Sequence, residues 1–336
     1  MVTPRQLKRI PIFSELPETE LAGISDCFTE ERFAAGESYC VEGEPASSAC
    51  FLMSGDLEVL KALPGGGTTR LTRITPGTMI GEMALVADGT RTATVRATRP
   101  SIVLSVHRNF FNAALDRVSV PAFKILRSVI HDLAERLDDL QERVLSQWGC
   151  EDAGSPVRAA GADHPRPESN GERKPSFDIR RFLPALPLLK SFSQNEIDWL
   201  VDAATAVELS RGEYLFREAE PARACYVVVR GAIDTSVTRD RRYQLSVLGP
   251  GRICGTSSLI THRERFNAAR ARSATTLLAL GQSAFDHLYL GDAPECLKFQ
   301  RMVSENLLLD RRIADNLLST LVSHDAISDG VKQHGL

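Results

Sequence analysis

The chain repeats itself, and this internal repeat constrains the fold more than any other feature of the sequence. Across 336 residues, turn and charged residues of the first half recur at an offset of 176 positions. The matched pairs include Gly36–Glu37 with Gly212–Glu213, Glu42 with Glu218, and Gly55 with Gly231. After a hairpin that is two residues shorter in the second copy, the offset becomes 174 and matches Pro76–Gly77 with Pro250–Gly251. A register kept over so many turn residues indicates two copies of one folding module.

Within each copy, short apolar segments alternate with turn residues. Cys50–Met53 and Tyr226–Val229 are predicted strands, each ending just before a turn at the repeated glycine, Gly55 or Gly231. Many short strands separated by regular turns favour a barrel or jelly roll. The glycine run at Gly65–Gly67 lacks the lysine and helix of a phosphate loop, so we interpret it as the tip of a hairpin.

We expect four segments along the chain. They are domain A at 1–148, a disordered linker at 149–177, domain B at 178–322, and a tail at 323–336. The linker assignment depends on Glu151–Pro175, which contains four prolines and no aromatic residue. Such a segment cannot bury enough apolar surface to offset its ordering entropy. The fourteen residues after the last predicted helix, Cys296–Val322, are too few for a helix-turn-helix domain.

A helix is predicted near the end of domain A, over 122–145. Its apolar residues are spaced by three and four positions, as in a coiled-coil seam, and they are Ile130, Leu133, Leu137, Leu140 and Val144. Two explanations remain open, namely a homodimer through this helix and packing of the stripe against the chain's own barrel.

One stretch of domain A carries a chemical signal. A glycine-started turn, Gly81-Glu82-Met83-Ala84-Leu85, is followed by Arg91-Thr92-Ala93-Thr94-Val95. Glycine allows the backbone to turn closely around a ligand, and the residues after Glu82 suit one or two helical turns. Arginine grips two phosphate oxygens in a bidentate fork. A surface ion pair between Glu82 and Arg91, contributing about 0–1 kcal/mol, is the alternative explanation.

The spacing G-E-x-A-L…R-T-A-T-V resembles the phosphate-binding cassette of the cyclic-nucleotide-binding domain family. That family includes bacterial catabolite activator proteins, regulatory subunits of protein kinase A, and nucleotide-gated channels. The resemblance implies a mainly β fold, with two jelly-roll (double-stranded β-helix) domains, flanking helices, and a long helix closing each domain. It also implies that cAMP or cGMP binds in domain A, with Arg91 on the phosphate and Glu82 on the ribose 2′-OH.

Other residues of domain A have smaller expected roles in the site. The expected contributions come from Gly81, Met83, Ala84, Thr92 and Ala93. In related domains the closing helix also covers the base, and Arg127, His131 and Arg136 are weak candidates for this contact. Thr92 does not decide between cAMP and cGMP.

The second copy keeps only part of the cassette. At the offset of 174, Gly81 becomes Gly255 and Arg91 becomes Arg265, but the ribose acid becomes Thr256. Phe266 adds bulk beside the arginine. We therefore expect Gly255, Thr256 and Arg265 to form at most a second site that does not bind in the usual way. Three further arginines make this region basic, and they are Arg263, Arg270 and Arg272. A solvated charged face explains these arginines as well as an anion site does.

Composition and missing motifs exclude several classes of protein. The net charge of −3 gives no overall basic signature for nucleic acid, and no run of 18 apolar residues could span a membrane. The first ten residues lack the apolar core of a signal peptide, so we do not expect one here, and seven scattered cysteines without a C-x-x-C pair favour a reducing compartment. Motifs of common enzyme classes are absent, and the histidines form no metal-binding pattern.

These observations favour a non-enzymatic cytoplasmic sensor without a metal or further cofactor. Ligand binding in domain A would move the helix after Phe110 and act on an unidentified effector protein. The alternative is a ligand-independent protein-interaction scaffold that retains relic cassettes. A DNA-binding regulator is disfavoured because no DNA-reading domain is expected.

Overall fold

The computed structural model describes residues 1–62, 68–148, 179–239 and 241–334. The predicted linker at 149–177 and the hairpin tip at Gly65–Gly67 lie outside these described residues, so both stay predictions. The boundaries of domains A and B therefore also stay predictions. By its internal contacts the chain divides into two compact units. Unit 1 comprises 1–129 with 292–297, and unit 2 comprises 130–291 with 298–336.

Unit 1 is a roll of antiparallel strands with helices before and after it. Its elements are α1 (Pro4–Leu7), α2 (Glu18–Ser25), β1 (Phe28–Phe33), β2 (Ser38–Cys40), β3 (Ser48–Ala62), β4 (Thr68–Ile74), β5 (Met79–Ile80), α3 (Met83–Val86), β6 (Thr94–His107), α4 (Arg108–Asp116) and the start of α5 (Val120–Trp148). The strands pair in the order β1-β6-β3-β4, with β2 on β6 and β5 on β3. Small and aliphatic side chains such as Cys50, Leu52 and Val103 form the core between them.

Unit 2 repeats this plan in two four-stranded sheets. Its elements, after the second part of α5, are α6 (Ile179–Phe182), α7 (Gln194–Asp202), β7 (Thr205–Leu209), β8 (Tyr214–Phe216), β9 (Ala224–Arg230), β10 (Ile233–Thr238), β11 (Arg242–Leu248), β12 (Ile253–Cys254), α8 (Thr256–Ile260), β13 (Ala268–Ala271), β14 (Thr275–Gly281), α9 (Gln282–Leu290) and α10 (Pro294–His334). The sheets have the orders β11-β10-β13-β8 and β12-β9-β14-β7. The prediction of two jelly-roll domains with flanking helices is thus confirmed.

The repeat is present in the hydrogen bonds as well as in the sequence. Gly36 N–H donates to Ala97 O at 2.7 Å, and the equivalent Gly212 N–H donates to Ala271 O at 2.7 Å. Glu42 accepts from Ala62 N–H at 2.9 Å, and Glu218 accepts from Thr238 N–H at 2.7 Å. The repeated turn residues therefore hold equivalent backbone positions in both rolls.

Two predictions about element ends are wrong. The strand predicted to end before Gly55 continues through it, since β3 runs to Ala62, and its register on β6 shifts on either side of that glycine. A strand can absorb such a bend as a bulge without ending. The last predicted helix, Cys296–Val322, begins at Pro294 and continues to His334, through most of the predicted tail.

The apolar stripe of α5 is buried within the chain. All five residues of the predicted seam, from Ile130 to Val144, are at most 8% exposed. They lie in the part of α5 that belongs to unit 2, where Leu145 packs with Val237, Tyr243 and Leu245. A second copy of the chain is therefore not needed to bury this stripe.

None of the described helices is both long enough and apolar enough to cross a bilayer. The six described cysteines are buried free thiols, and they are Cys27, Cys40, Cys50, Cys225, Cys254 and Cys296. Within the described ranges, no group of three or more His, Cys, Asp or Glu side chains could hold a metal ion.

The bend in β3 gives a stability prediction. Gly55 has a φ of +102°, and a β-carbon there would lie 2.5 Å from Ser101 Cα. Gly55→Ala should lower the free energy of unfolding by about 2–4 kcal/mol, because it combines backbone strain with overpacking. Gly23→Ala is the matched control, since Gly23 lies in α2 with open space around it. This control should be neutral or stabilise by up to about 1 kcal/mol. Equal urea midpoints for the two variants would contradict this account.

Candidate functional site

The first cassette begins with a left-handed glycine. Gly81 directly follows β5 and has a φ of +73°, which is readily accessible only to glycine. The Ala84 N–H donates to Gly81 O at 3.0 Å and the Leu85 N–H to Glu82 O at 3.0 Å, which starts the single turn of α3. The short helix predicted after Glu82 is therefore present.

Arg91 lies against Gly81, ten positions away in the sequence. A β-carbon on Gly81 would lie 2.5 Å from Arg91 Nη1, so the absence of a side chain makes room for the guanidinium. The Nη2 atom donates to Ser48 Oγ at 3.0 Å. Backbone bonds fix the residue on both sides, since Arg91 N–H donates to Glu44 O at 2.8 Å and Arg91 O accepts from Gly43 N–H at 2.9 Å. Arg91 remains only half-buried.

The other predicted residues of the first cassette differ in their exposure. Glu82 is only 4% exposed, and it is the one Asp or Glu in the described part of the chain that is fully buried. Burying a carboxylate costs free energy unless it is paired, so burial is typical of positions with a specific role. Met83 is half-buried and Ala84 is buried, whereas Thr92 is exposed and Ala93 half-buried. Lys61 Nζ donates to Thr92 O at 2.8 Å, which holds the backbone after Arg91.

Three residues of this site were missed by the sequence analysis. Ser48 links Arg91 to the hydroxyl of Tyr39, which lies 3.0 Å from Ser48 Oγ. Burial raises the pKa of Tyr39, so the phenol stays protonated and able to donate. Arg108 donates to Ala84 O and to the Asp88 carboxylate, and these bonds hold α3 and the loop after it in place.

Comparison of the two copies gives one sequence signal for these residues. At the repeat offsets, Ser48, Tyr39 and Arg108 become Ala224, Leu215 and Gln282. All three side chains are thus lost in the copy that also loses the acid of the cassette. A polar side chain present in only one copy was the available signal.

The arginine of the second cassette is engaged by the chain itself. Arg265 is 4% exposed, and Nη1 donates to Gly255 O at 2.7 Å. Nη2 donates to Ala224 O, the guanidinium carbon lies 4.3 Å from the Phe216 ring centroid, and Nε has no partner in the described part of the chain. Burial lowers the pKa of Arg265. Thr256, in place of the acid, is 2% exposed.

The second part of α5 lies over this cassette within unit 2. Ser257 Oγ donates to Asp138 Oδ1 at 2.7 Å, and Arg263 pairs with Glu135 at 3.2 Å. Burial raises the pKa of Asp138, against the opposing effect of its bond from Ser257. The cavity between α5, Phe266 and the cassette measures about 50 Å³. Ligand pockets are typically about 300–1,000 Å³, so this cavity is too small for a nucleotide.

The remaining predicted contacts are satisfied within the chain. Among the candidates for covering the base, Arg127 donates to the Asp292 carboxylate at 2.7 Å, and His131 lies 4.0 Å from Glu135. Arg136 also interacts with neighbouring residues. The basic residues beside the second cassette likewise have partners, since Arg270 donates to Gly212 O at 2.6 Å and Arg272 pairs with Asp234.

On its other side the second cassette contacts α10. Asn306 holds both backbone groups of Ile253, accepting from its N–H and donating to its carbonyl at 3.1 Å each. Arg252 donates to Asn306 Oδ1 at 3.0 Å and pairs with Asp310. Burial raises the pKa of Asp310 to about 6, although the Arg252 charge acts in the opposite direction.

Comparison with known proteins adds an independent result. A family model described as "Cyclic nucleotide-binding domain" matches residues 30–118 and 206–292, together just over half of the chain. The cAMP-dependent protein kinase regulatory subunit of Blastocladiella emersonii is 23% identical over 281 residues, covering 82% of this chain and 56% of that protein. The regulatory subunit of Hypocrea atroviridis is 33% identical over 112 residues, covering 33% and 23%.

Two further matches extend the comparison. Mouse cGMP-dependent protein kinase 2 is 20% identical over 258 residues, covering 76% of this chain and 26% of that protein. The chain thus spans between about a quarter and just over half of the length of these three curated relatives. Among solved structures, the regulatory domain of Toxoplasma gondii PKA with cAMP matches with a TM-score of 0.32 and 17% identity, covering 93% and 95% of the two chains.

The Asp310 carboxyl gives a pH prediction for the second roll. Its pKa is raised from 3.8 to about 6 on folding, so the folded state binds this proton more tightly than the unfolded state. The resulting stability is fully present below about pH 4 and is lost as pH rises through 6. The free energy of unfolding should therefore fall by roughly 3 kcal/mol across that range because of this group.

Urea unfolding at pH 4 and pH 7 measures this effect. Asp310→Asn should remove most of the pH dependence that this carboxyl contributes. Asp315→Asn is the matched control, since Asp315 is exposed on the same helix and pairs at the surface with Arg311. An unchanged pH slope in Asp310→Asn would contradict the raised pKa.

Proposed function

This chain belongs to the cyclic nucleotide-binding domain family, and from that premise we propose that it is a regulatory protein that senses cAMP or cGMP through its first cassette. The observation that carries the proposal is that one cassette contains a buried carboxylate, Glu82, and a half-buried guanidinium, Arg91, which lies against a left-handed glycine. A cyclic nucleotide needs one acceptor for its ribose hydroxyl and one cation for its phosphate. The first cassette holds both groups within the ten residues from Glu82 to Arg91.

Each group has a specific part in binding. Arg91 is fixed at its backbone and held at Nη2 by Ser48, so its fork is already oriented before a phosphate arrives. Pre-orientation lowers the entropy lost on binding. Glu82 accepts from the ribose 2′-OH, and Gly81, Met83, Ala84, Thr92 and Ala93 complete the walls of the site.

The second cassette does not bind a cyclic nucleotide in the usual way in this proposal. The arginine there is 4% exposed and already bonded to two carbonyls, and Thr256 replaces the acid. A phosphate would have to displace those bonds and open a cavity of about 50 Å³. The stoichiometry we expect is therefore one nucleotide per chain.

The signal leaves the site through α5. Val118, between α4 and α5, has a φ of +57°, which is a strained conformation for a β-branched residue. Strain of this kind is often found at switch regions, and nucleotide binding would act by favouring one position of α5 over another. The second part of that helix makes the polar contacts of Asp138 and Glu135 described above.

The output is a partner protein in the cytoplasm, and the chain itself has no enzymatic role. Several relatives are named as regulatory subunits of a cAMP-dependent kinase, so a kinase catalytic subunit is the first partner to test. A homodimer through 122–145 is less favoured, because the apolar stripe of that helix is already buried. A partner whose binding ignores nucleotide would instead support the ligand-independent scaffold.

Calorimetric titration of the intact protein with cAMP and with cGMP tests the site. Arg91→Ala removes a charge-assisted fork and should weaken binding by roughly a hundredfold or more. Arg96→Ala is the matched control, because Arg96 lies five positions along and pairs at the surface with Glu58. Its affinity should equal that of the unaltered protein. Unchanged binding in Arg91→Ala would reject the assignment, and no binding by the unaltered protein would favour the scaffold.

The role of Glu82 has a separate test that uses the ligand as its control. The unaltered protein should prefer cAMP over 2′-deoxy-cAMP, because only cAMP offers the hydroxyl to Glu82. Glu82→Gln should weaken cAMP binding roughly tenfold and leave 2′-deoxy-cAMP almost unchanged, since a neutral bond replaces a charge-assisted one. An equal loss for both nucleotides would show that Glu82 supports the fold of the turn rather than the ribose.

A further inference from the structure

A second cavity lies in unit 2, beside the turn between β7 and β8. It measures about 700 Å³, which is within the usual range for small-molecule sites. Its lining shares a single residue, Phe216, with the small cavity at the second cassette. It is therefore a different cavity from the small one, although Phe216 also lies against Arg265 of the second cassette.

The cavity has a different set of rings from the equivalent region of the first roll, since Phe216 and Tyr226 stand where unit 1 has Cys40 and Cys50. In unit 1, Phe33 and Tyr39 pack edge to face with ring centroids 6.1 Å apart. The equivalent residues of unit 2 are Leu209 and Leu215, and both line the cavity. Leucine fills less volume than either ring, so these two positions leave space open in unit 2.

The second roll also gains aromatic and cationic side chains around this space. Arg211, Tyr214 and Arg217 line the cavity where unit 1 has Ala35, Ser38 and Val41. The guanidinium carbon of Arg217 lies 4.0 Å from the Tyr214 ring centroid, a cation–π distance.

The polar groups of the cavity favour an anion. Arg211 is exposed at the rim and makes no hydrogen bond or ion pair with any residue in the described ranges. Arg270 also lines the cavity, with Nε on Gly212 O. Two acids are present as well, but Glu213 accepts from Ser210 N–H at 2.6 Å and Glu220 has its own interactions.

The floor is apolar and aromatic. Phe216 and Tyr226 stack with centroids 6.0 Å apart and an angle of 30° between their planes. Val207 and the two leucines contribute the aliphatic part. Such a surface suits a flat apolar body, whereas the arginines at the rim suit one anionic group.

We propose that this cavity is a ligand site for an organic anion with a flat, apolar body. The body would lie on Phe216 and Tyr226, and its carboxylate or sulfonate would meet Arg211. The site is independent of the nucleotide cassette of unit 1, and its test does not require that cassette to function.

The test uses 8-anilinonaphthalene-1-sulfonate, whose fluorescence rises in apolar surroundings, with the full chain. The expected result is saturable binding at a single site. Arg211→Ala gives this position the alanine that unit 1 has at Ala35. It should weaken probe binding roughly tenfold, because an exposed charge-assisted bond to the sulfonate is lost. The double variant Leu209→Phe with Leu215→Tyr fills the cavity and should abolish probe binding.

Two controls distinguish probe binding in this cavity from binding at the nucleotide cassette and from binding to a misfolded chain. Arg91→Ala should leave probe binding unchanged, since Arg91 does not line the cavity. Circular dichroism verifies the fold of the refilled variant. If that variant misfolds, the probe affinity of Arg211→Ala, a change at an exposed position, tests the proposal by itself. The proposal is overturned if Arg211→Ala leaves the affinity for the probe unchanged, if a folded refilled variant still binds the probe, or if Arg91→Ala abolishes probe binding.

Discussion

A guanidinium group packed where a glycine lacks its side chain is the contact on which both cassettes depend. Gly81 and Gly255 have left-handed φ values, and a β-carbon on either would lie 2.5 Å from Nη1 of the cassette arginine. The backbone N–H and carbonyl of each arginine also form hydrogen bonds of 2.8–2.9 Å with a distant turn. That turn is Gly43–Glu44 for Arg91 and Ala219–Glu220 for Arg265. These local constraints place the same cation at the same point of two rolls that differ in most of their other side chains.

The two arginines have different surroundings, and this difference separates a site able to bind from a closed one. Arg91 is half-buried and bonded at Nη2 to a serine hydroxyl, which can be shared with an incoming anion. Arg265 is fully buried and donates to two backbone carbonyls, with α5 lying over it. Because displacing bonds inside a closed cavity costs free energy, the surviving arginine of the second copy does not by itself make a binding site.

Duplication also accounts for the open cavity elsewhere in the second roll. The hydrogen bonds of the turns are kept in both copies, so the backbone plan does not depend on the side chains that differ. Leu209 and Leu215, in place of Phe33 and Tyr39, therefore line an open cavity in a roll that keeps its strands.

The sequence alone determined the repeat, the two β-rolls, and the presence of glycine, acid and arginine in the first cassette. These follow from local patterns, because turn glycines, strand alternation and short motifs are encoded by residues close together in the chain. It did not reveal that β3 continues through Gly55, that α5 covers the second cassette, or that Ser48 and Arg108 support the first. Only the tertiary structure decided these, because each depends on contacts between residues dozens to more than a hundred positions apart, whose packing and burial no local pattern specifies.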